Sequence, residues 1–536
     1  MSKKIIFGDE ARKTLQAGVD AVANAVKTTI GPKGQNVAYD NGYGGPTISN
    51  DGVSIAREVV LEDSLENIGV NIIKEVAQKT NDSAGDGSTT SVILAQAIFT
   101  EGLKRISVGI SSMGIKSGIE KASKVVVNYL KSIAKPIKAG EETTKVATIS
   151  AESEEIGKII SDTISKLGSD AVITVEVSPT VGITSEVSQG MEFDKGYISP
   201  YMITDPDRQE AECKDVSILV TDHRIGAIQE IVPFLEDLMK SGKKELVVIA
   251  EDIVGEALQT FIVNKLRGAV TIIGIKAPGF GERKKDYLED IAVITGATFV
   301  SSDVGITLDK ITVEHLGSAD RVVSTKDKTT IIGGRGDKIK IKERINTAKK
   351  EMDKNESKHD KLKIGERIAQ LSDGVAIIKV GAATETETNY LKLKIEDAVN
   401  AVKSALEEGI VAGGGIALMR ASLAVRVEMV KGEYTDDEKI GFEILAKAME
   451  SPLKQIAINC GKGDGSMIVS QVKDLDNDNG GYDALNDSFV DDMIKAGIAD
   501  PVKVTRSAIE NASSAAGTLL TTGCVMAEIK EEIVAK

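Results

Sequence analysis

Twice along this chain the hydrophobic periodicity changes, and the double change limits the folds open to it. Over residues 9–30, Ala11, Leu15, Val19, Val22, Ala23, Val26 and Ile30 recur at the spacing of one helix face. Comparable helical segments run through 65–79, 88–107 and 112–134. Near residue 170 the texture turns to short β-branched runs ("AVITVEV", "SILVTD", "ELVVIAED", "AVTIIGIKAP", "TFVSSD") that alternate with helical stretches, the pattern of an α/β region. A densely charged stretch, "KIKIKERINTAKKEMDKNESKHDKLKIGERIAQL", follows and reads as a solvated helical pair. After "VAIIKVGAAT" the helical texture returns and persists. An α/β region inserted into a helical domain, whose halves lie far apart in sequence, accommodates both changes.

Composition narrows what such a chain can do. Its 536 residues correspond to roughly three domains. A hydrophobic content of 41% with 27% charged residues is that of a soluble globular protein. Aromatic residues make up 3% with no Trp, so the cores must be packed from Val, Ile, Leu and Ala. A net charge of −15 argues against nucleic acid or an anionic membrane as the main partner. Cys213, Cys460 and Cys524 are far apart, as are His223, His315 and His359; they form no metal spacing and fit a reducing compartment. The opening "MSKKIIFGDEARK" lacks a signal-peptide core and no segment is apolar enough to span a bilayer, so a cytoplasmic location is expected.

Four short segments combine glycine with an acid or a helix start. "NDSAGDGSTTSVILAQAI" (81–98) sets Asp86 between two glycines ahead of Ser88, Thr89 and Thr90 at a helix start. Two readings are open: the hydroxyls cap the helix, or the free N–H groups cradle a phosphate, with a hard cation beside Asp86. "TTIGPKGQNV" (28–37) ends the first helix in a Gly31-Pro32 turn, "TISNDGVS" (47–54) holds Asp51 in an Asn-Asp-Gly turn, and "IVAGGGIAL" (410–418) is a glycine loop leading into a helix. Neither GxxxxGK[ST] nor GxGxxG occurs, so a nucleotide would bind in a site of another design.

Taken in order with "ISNDGVSIARE", "KAPGFGERKK", "IKVGAATETE", "IEDAVNAVKSALEEGIVAGGG" and "DPVKVTRSAIENA", these segments resemble the group I chaperonins (GroEL type) from about residue 3 to about residue 530. The resemblance implies a multidomain α and α/β chain that assembles into seven-subunit rings, one or two per particle. It divides the chain into a helical equatorial ATP-binding domain (1–132 and 408–536), a small hinge-like intermediate domain (133–189 and 375–407) and an α/β apical domain (190–374). Pro136 with Gly409, and Gly190 with Gly374, match the hinges, where glycine can absorb changes in φ and ψ.

The same resemblance implies ATP and Mg²⁺ as cofactors, with K⁺ a candidate. Thr29, Ile30, Gly31 and Pro32 would pass along the nucleotide. Asp86, Gly87, Ser88, Thr89 and Thr90 would form the phosphate site, with Asp86 holding the metal. Gly414 would lie opposite, and Asp483, Ala484, Leu485, Ile498 and Asp500 would contact base and ribose. Asp397 would position or activate the attacking water, and Asp51 would be a second acid near the γ-phosphate. The chain departs from the family at four places. Asn50 stands where a phosphate-site Lys is usual, Ser88 replaces Thr, Asp483 replaces Asn, and the closing "EIKEEIVAK" lacks a Gly-Met-rich tail. The acidic stretch that helps hold two rings together is replaced by "CGKGDGSM", although Lys454 is kept.

For unfolded protein clients, the resemblance implies an apolar apical strip of Tyr197, Tyr201, Met202, Val232, Leu235, Leu258, Ile262 and Val263, which would also take a GroES-type co-chaperonin. Two other function classes fit parts of the sequence. A metabolic phosphotransferase would use the same Mg-ATP site, but no motif for a small acceptor accompanies it. An ATP-independent holding protein would not need Asp51, Asp86 and Asp397.

Overall fold

The computed structural model describes residues 3–40, 47–168, 172–206, 208–279, 281–354, 358–372 and 374–528. They form two compact units, one comprising Met1–Ser169, Val175–Thr184 and Val380–Lys536, the other Asp170–Thr174 and Ser185–Lys379.

The first unit is a helical body built from both ends of the chain. Helices Gly8–Val26, Glu66–Ala84, Ser88–Ile106, Ser112–Ile133, Asp436–Ala448 and Val502–Leu520 share one core, in which Leu15, Ile73, Leu94, Ile119, Phe442 and Leu519 are fully buried. With so few aromatics, backbones close the gaps. A Cβ at Gly18 would lie 2.1 Å from the Glu66 carbonyl oxygen, and one at Gly69 would lie 2.3 Å from that of Leu15, so the two helices cross backbone to backbone. Strands Lys3–Phe7 and Cys524–Glu528 pair antiparallel and tie the chain's beginning to its end. Strands Ile410–Ala412 and Ala499–Pro501 pair in the same way.

The helix expected over 9–30 is shorter. It stops at Val26, a 3₁₀ turn covers Lys27–Thr29, and Ile30 is extended. The Asn459 amide takes the carbonyls of Lys27, Thr28 and Ile30, which a continuing helix would have used internally.

The second unit is organised around a six-stranded mixed sheet. Its strand order is Thr271–Lys276, Glu245–Ala250, Ala211–Val220, Gly317–Ser324, Thr329–Gly334 and Gly190–Phe193. The first three strands are parallel and the rest antiparallel. The "ELVVIA" and "TIIGIK" strands are buried almost continuously, as strands covered on both faces must be.

The charged stretch does form two helices, Lys338–Lys354 and Lys358–Ser372, but it is not merely solvated. Arg344 and Arg367 converge on the buried Asp290 carboxylate at 2.6 and 2.8 Å, with Arg344 also 2.7 Å from Glu289. Arg367 and Asp290 are 5% and 1% exposed, so this ion cluster pins the pair to helix Glu282–Thr295. Periodicity could place the helices but could not show which charges are buried.

Candidate nucleotide site

Within the first unit, three of the four glycine-and-acid segments touch one another directly. Asp51 is the N-cap of helix Gly52–Glu58, accepting from Val53 N at 3.2 Å, Ser54 N at 2.8 Å and Ser54 Oγ at 2.6 Å. The next residue is pressed against the phosphate segment. A Cβ at Gly52 would lie 2.5 Å from Thr89 Oγ1, 2.8 Å from Ser88 Oγ and 3.0 Å from Thr89 N. Thr29 Oγ1 lies 3.5 Å from Thr89 Oγ1, which brings the Gly31 turn to the same place.

The capping reading of Ser88–Thr90 does not hold. The N-cap of helix Ser88–Ile106 is Gly87, at φ 83°, and no side chain caps the helix; Ser88, Thr89 and Thr90 lie inside its first turn. Helix Ile416–Lys431 starts in the same way, at Gly415 with φ 80° and no side-chain cap. A left-handed glycine lets each loop turn sharply into its helix without a Cβ clash, and the first-turn N–H groups receive no side-chain acceptor. Gly414 N–H donates to the Asp500 carboxylate, and Gly413 N–H to the Ile498 carbonyl at 3.0 Å.

Helix Glu385–Glu408 brings Asp397 to this cluster. Ser404 Oγ donates to the Ala84 carbonyl at 2.9 Å, and a Cβ at Gly85 would strike Asn400. Asp397, Asn400 and Ser404 are spaced i, i+3, i+7 on one helix face, so these two contacts turn Asp397 toward the Asp86 loop. Arg506 fixes the end of the helix through Glu408, at 2.6 and 3.0 Å.

The carboxylates act on one another. Desolvation, with Asp51 adding repulsion, pushes Asp86 up to about 6. Desolvation, with Asp86 adding repulsion, pushes Asp500 up to about 6, against the Gly414 hydrogen bond. Asp397 is raised well above the usual carboxylate range by desolvation and then by Asp51 and Asp86, while Lys394 opposes the rise. All three retain some surface exposure while being closely surrounded by protein, so burial dominates each shift. Acids gathered in this way favour a bound cation.

Asn50 donates to Tyr390 Oη at 3.4 Å; Lys394 Nζ donates to the same oxygen at 2.9 Å and pairs with Glu152 at 2.6 Å. Of the base and ribose residues, Ala484 is buried, Leu485 is exposed and Ile498 is half-buried. Asp483 does not aim its oxygens outward as base contacts require. They accept from Leu485 N, Asn486 N and Asn486 Nδ2 at 3.0, 3.2 and 2.8 Å, which closes a turn.

A model of the TCP-1/cpn60 chaperonin family matches residues 22–530. This chain is a chaperonin. The chaperonin gp146 from the bacteriophage EL 2 (Pseudomonas aeruginosa), crystallised in the presence of ATP-BeFx, shares the fold with a TM-score of 0.69 and 21% identity, over 98% of this chain and 99% of the other. Chaperonins assist protein folding, and the family is known for ATPase activity.

The residues of this chaperonin suit a magnesium nucleotide. Among the described residues no group of three or more His, Cys, Asp or Glu could hold a metal alone. Mg²⁺ requires no such group, because it is typically held by one or two carboxylates together with phosphates and water. Asp86, just ahead of the uncapped start of helix Ser88–Ile106, is the side chain that would hold it.

The apical strip is only partly a surface. On helices Val232–Lys240 and Gly255–Leu266, Val232 and Val263 are 36% and 41% exposed, while Leu235, Leu258 and Ile262 are half-buried. Tyr201 is 67% exposed. Met202 does not belong to the strip: it is fully buried and its sulfur accepts Gly274 N–H at 3.2 Å. Tyr197 packs half-buried against both cores of the second unit. Met239 and Leu266, 51% and 72% exposed, are apolar surface that the motif comparison missed. In this chaperonin the hinge candidates are closely packed. A Cβ at Gly409 would lie 2.6 Å from the Lys135 carbonyl oxygen beside Pro136, and one at Gly374 would lie 2.5 Å from that of Ser188. Among the described residues no helix is long and apolar enough to cross a membrane. The "IKEEIVAK" end lies outside the described residues.

Proposed function

We propose that this chaperonin is an ATP-driven folding machine in which Mg-ATP is hydrolysed at the first unit and unfolded proteins are captured on the second. The observation that carries the reading is the mutual repulsion that links Asp51, Asp397 and Asp500 to Asp86, which stands just ahead of a glycine-started helix that no side chain caps. The N–H groups of Ser88–Thr90 and the Thr89 hydroxyl would face the phosphates, with Gly414 opposite, while Gly87 N–H is held by the Asp86 carboxylate at 2.5 Å and the Thr29 hydroxyl donates to the Val26 carbonyl at 2.9 Å. Asp86 would hold Mg²⁺, which screens phosphate charge when bound. Asp397 would accept a hydrogen bond from the attacking water and align it with the γ-phosphorus. Water bonds to the γ-phosphorus, the bond to the ADP oxygen breaks, and ADP and phosphate leave. Asp51, held by its cap, is a fixed charge beside this step.

On the second unit, Val232, Leu235, Leu258, Ile262 and Val263 with Tyr201 form the apolar strip for clients and a GroES-type lid. Equatorial, intermediate and apical domains with the boundaries given above are part of the proposal, as are homo-oligomeric rings of seven in the cytoplasm. Self-association is supported by the small terminal sheet, which leaves Ile5, Phe7 and Met526 at 47%, 66% and 56% exposure. Steady-state ATP turnover with no added metabolite, alongside ATP-dependent refolding of a denatured protein, tests the reading. Turnover and refolding together are expected; turnover only with a small acceptor would indicate a phosphotransferase, and capture without turnover a holding protein.

A further inference from the structure

Helix Ser451–Asn459 is short, yet together with the next residue it touches three of the segments assigned to the nucleotide. At its start, a Cβ on Gly415 would lie 2.8 Å from Leu453 N, so the glycine loop rests on its first turn. In its middle, the Ile456 side chain closes the space at Gly31, where an added Cβ would meet it at 3.1 Å. At its end, Asn459 Nδ2 donates to the carbonyls of Lys27, Thr28 and Ile30 at 3.1, 3.3 and 2.9 Å. Gln455 Nε2 donates to Asn459 Oδ1 at 2.9 Å and so fixes which face of the amide meets the carbonyls. The next residue, Cys460, points its thiol at the Ala484 carbonyl at 3.6 Å.

We propose that Asn459 is a positioning residue for nucleotide binding: it holds the 27–30 backbone in its 3₁₀ and then extended course and, with Cys460, sets that backbone in register with the 483–485 turn. The inference rests on the nucleotide reading above. The physical case starts from three carbonyls that lost their helical partners when the first helix stopped at Val26. The Thr28 carbonyl also accepts Gln35 N–H at 2.9 Å, but without the amide the Lys27 and Ile30 carbonyls would be hydrated, or the helix would extend and carry Thr29, Gly31 and Pro32 away from Thr89. One amide shared among three acceptors removes both alternatives. Its own helix is rigid because Leu453, Ile456 and Ala457 are buried in a second core with Ile416, Tyr482 and Ala484. The clasp therefore adds to the packing of Ile30 against the same core and ties the loop's backbone to a packed helix.

The test is the affinity of the full-length protein for ADP and ATP, measured by calorimetry with Mg²⁺, together with kcat and the melting temperature without nucleotide. Asn459→Asp keeps the shape but turns a carboxylate oxygen toward three carbonyl oxygens. It is expected to weaken both nucleotides about tenfold, the size of a lost part-buried hydrogen bond that leaves the Lys27 and Ile30 carbonyls facing a negative charge, and to leave kcat at saturating ATP within about twofold. Gln455→Met, which frees the amide to rotate without touching the loop, is expected to weaken binding by about threefold. Should Asn459→Asp fail to fold, Gln455→Met decides alone. Wild-type affinity in the variants overturns the inference, and so does an affinity loss that only follows a fall in nucleotide-free melting temperature. A wild-type protein that binds no nucleotide would instead sink the nucleotide reading itself.

Discussion

The two units of this chaperonin keep their functional information in different places. In the first it resides in backbone and charge: Gly52 presses on Thr89, left-handed Gly87 and Gly415 start two uncapped helices, and Asp51, Asp397 and Asp500 each repel Asp86. In the second it resides in which apolar side chains are left uncovered, so that Val263 is exposed while Phe261, two residues earlier, is fully buried. A site made of backbone and charge tolerates few substitutions, whereas an apolar strip tolerates many as long as it stays apolar.

The sharpest way to break this contrast is Asp397→Ala. It should slow hydrolysis on the order of 10³-fold in single-turnover assays, with ATP affinity within about twofold, because water alignment is lost and the phosphate cradle is left intact. Asp86→Ala should instead weaken Mg-nucleotide binding about a hundredfold in calorimetry. If the two variants behaved alike, the separate roles would be wrong.

Leu235→Ser and Ile262→Ser probe the other unit. Each should reduce capture of a denatured model protein about tenfold in a co-sedimentation assay, since a ring repeats the loss at every subunit. ATP turnover should stay at the wild-type level, because every carboxylate of the proposed site belongs to the first unit. Insoluble variants would show that these positions are core.

How much of this was legible beforehand follows the same contrast. The helical–α/β–helical order, the helices near 66–84, 88–106 and 112–133, and the gathering of the glycine-and-acid segments could be read from spacing and motif order. Asp483 could not, because the sequence does not say whether an acid faces a ligand or closes its own turn. Met202 and Met239 look alike in sequence and differ only in what the fold puts over them. Asn459 was missed because its three acceptors lie more than four hundred residues away in the chain. Tyr390, which accepts from Asn50 across 340 residues of chain, was missed for a similar reason.

A smaller effect should appear on titration. Asp86 and Asp500, each raised from 3.8 to about 6, contribute stability that is complete below the unfolded value and is lost as pH rises through about 6. The nucleotide-free protein should therefore lose stability between pH 4 and about 7 from these groups. Mg²⁺ competes with the proton on Asp86, so the melting-temperature gain from Mg-ADP should be larger at pH 7.5 than at pH 5, by differential scanning fluorimetry. An equal gain at both would contradict the assigned metal ligand.

The smallest energies concern ring stacking. Lys454 lies 3.6 Å from Asp464, and Lys462 lies 2.6 Å from Asp487, so both bases already have partners in their own chain. Exposed pairs contribute about 0–1 kcal/mol each, and subunits of charge −15 repel more as salt falls. Two rings should therefore separate on dilution, at low salt or during the nucleotide cycle, as read by analytical ultracentrifugation. A double ring that persists under all three conditions would contradict this.

The central claim is that nucleotide chemistry and client capture are housed in different units of one machine. The most direct measurement is crossed: ATP turnover and capture of a denatured protein, assayed on the same preparations of Asp397→Ala and Ile262→Ser. The account predicts that Asp397→Ala loses turnover and keeps capture, while Ile262→Ser keeps turnover and loses capture. A folded variant of either kind that lost both, or lost the opposite one, would contradict it.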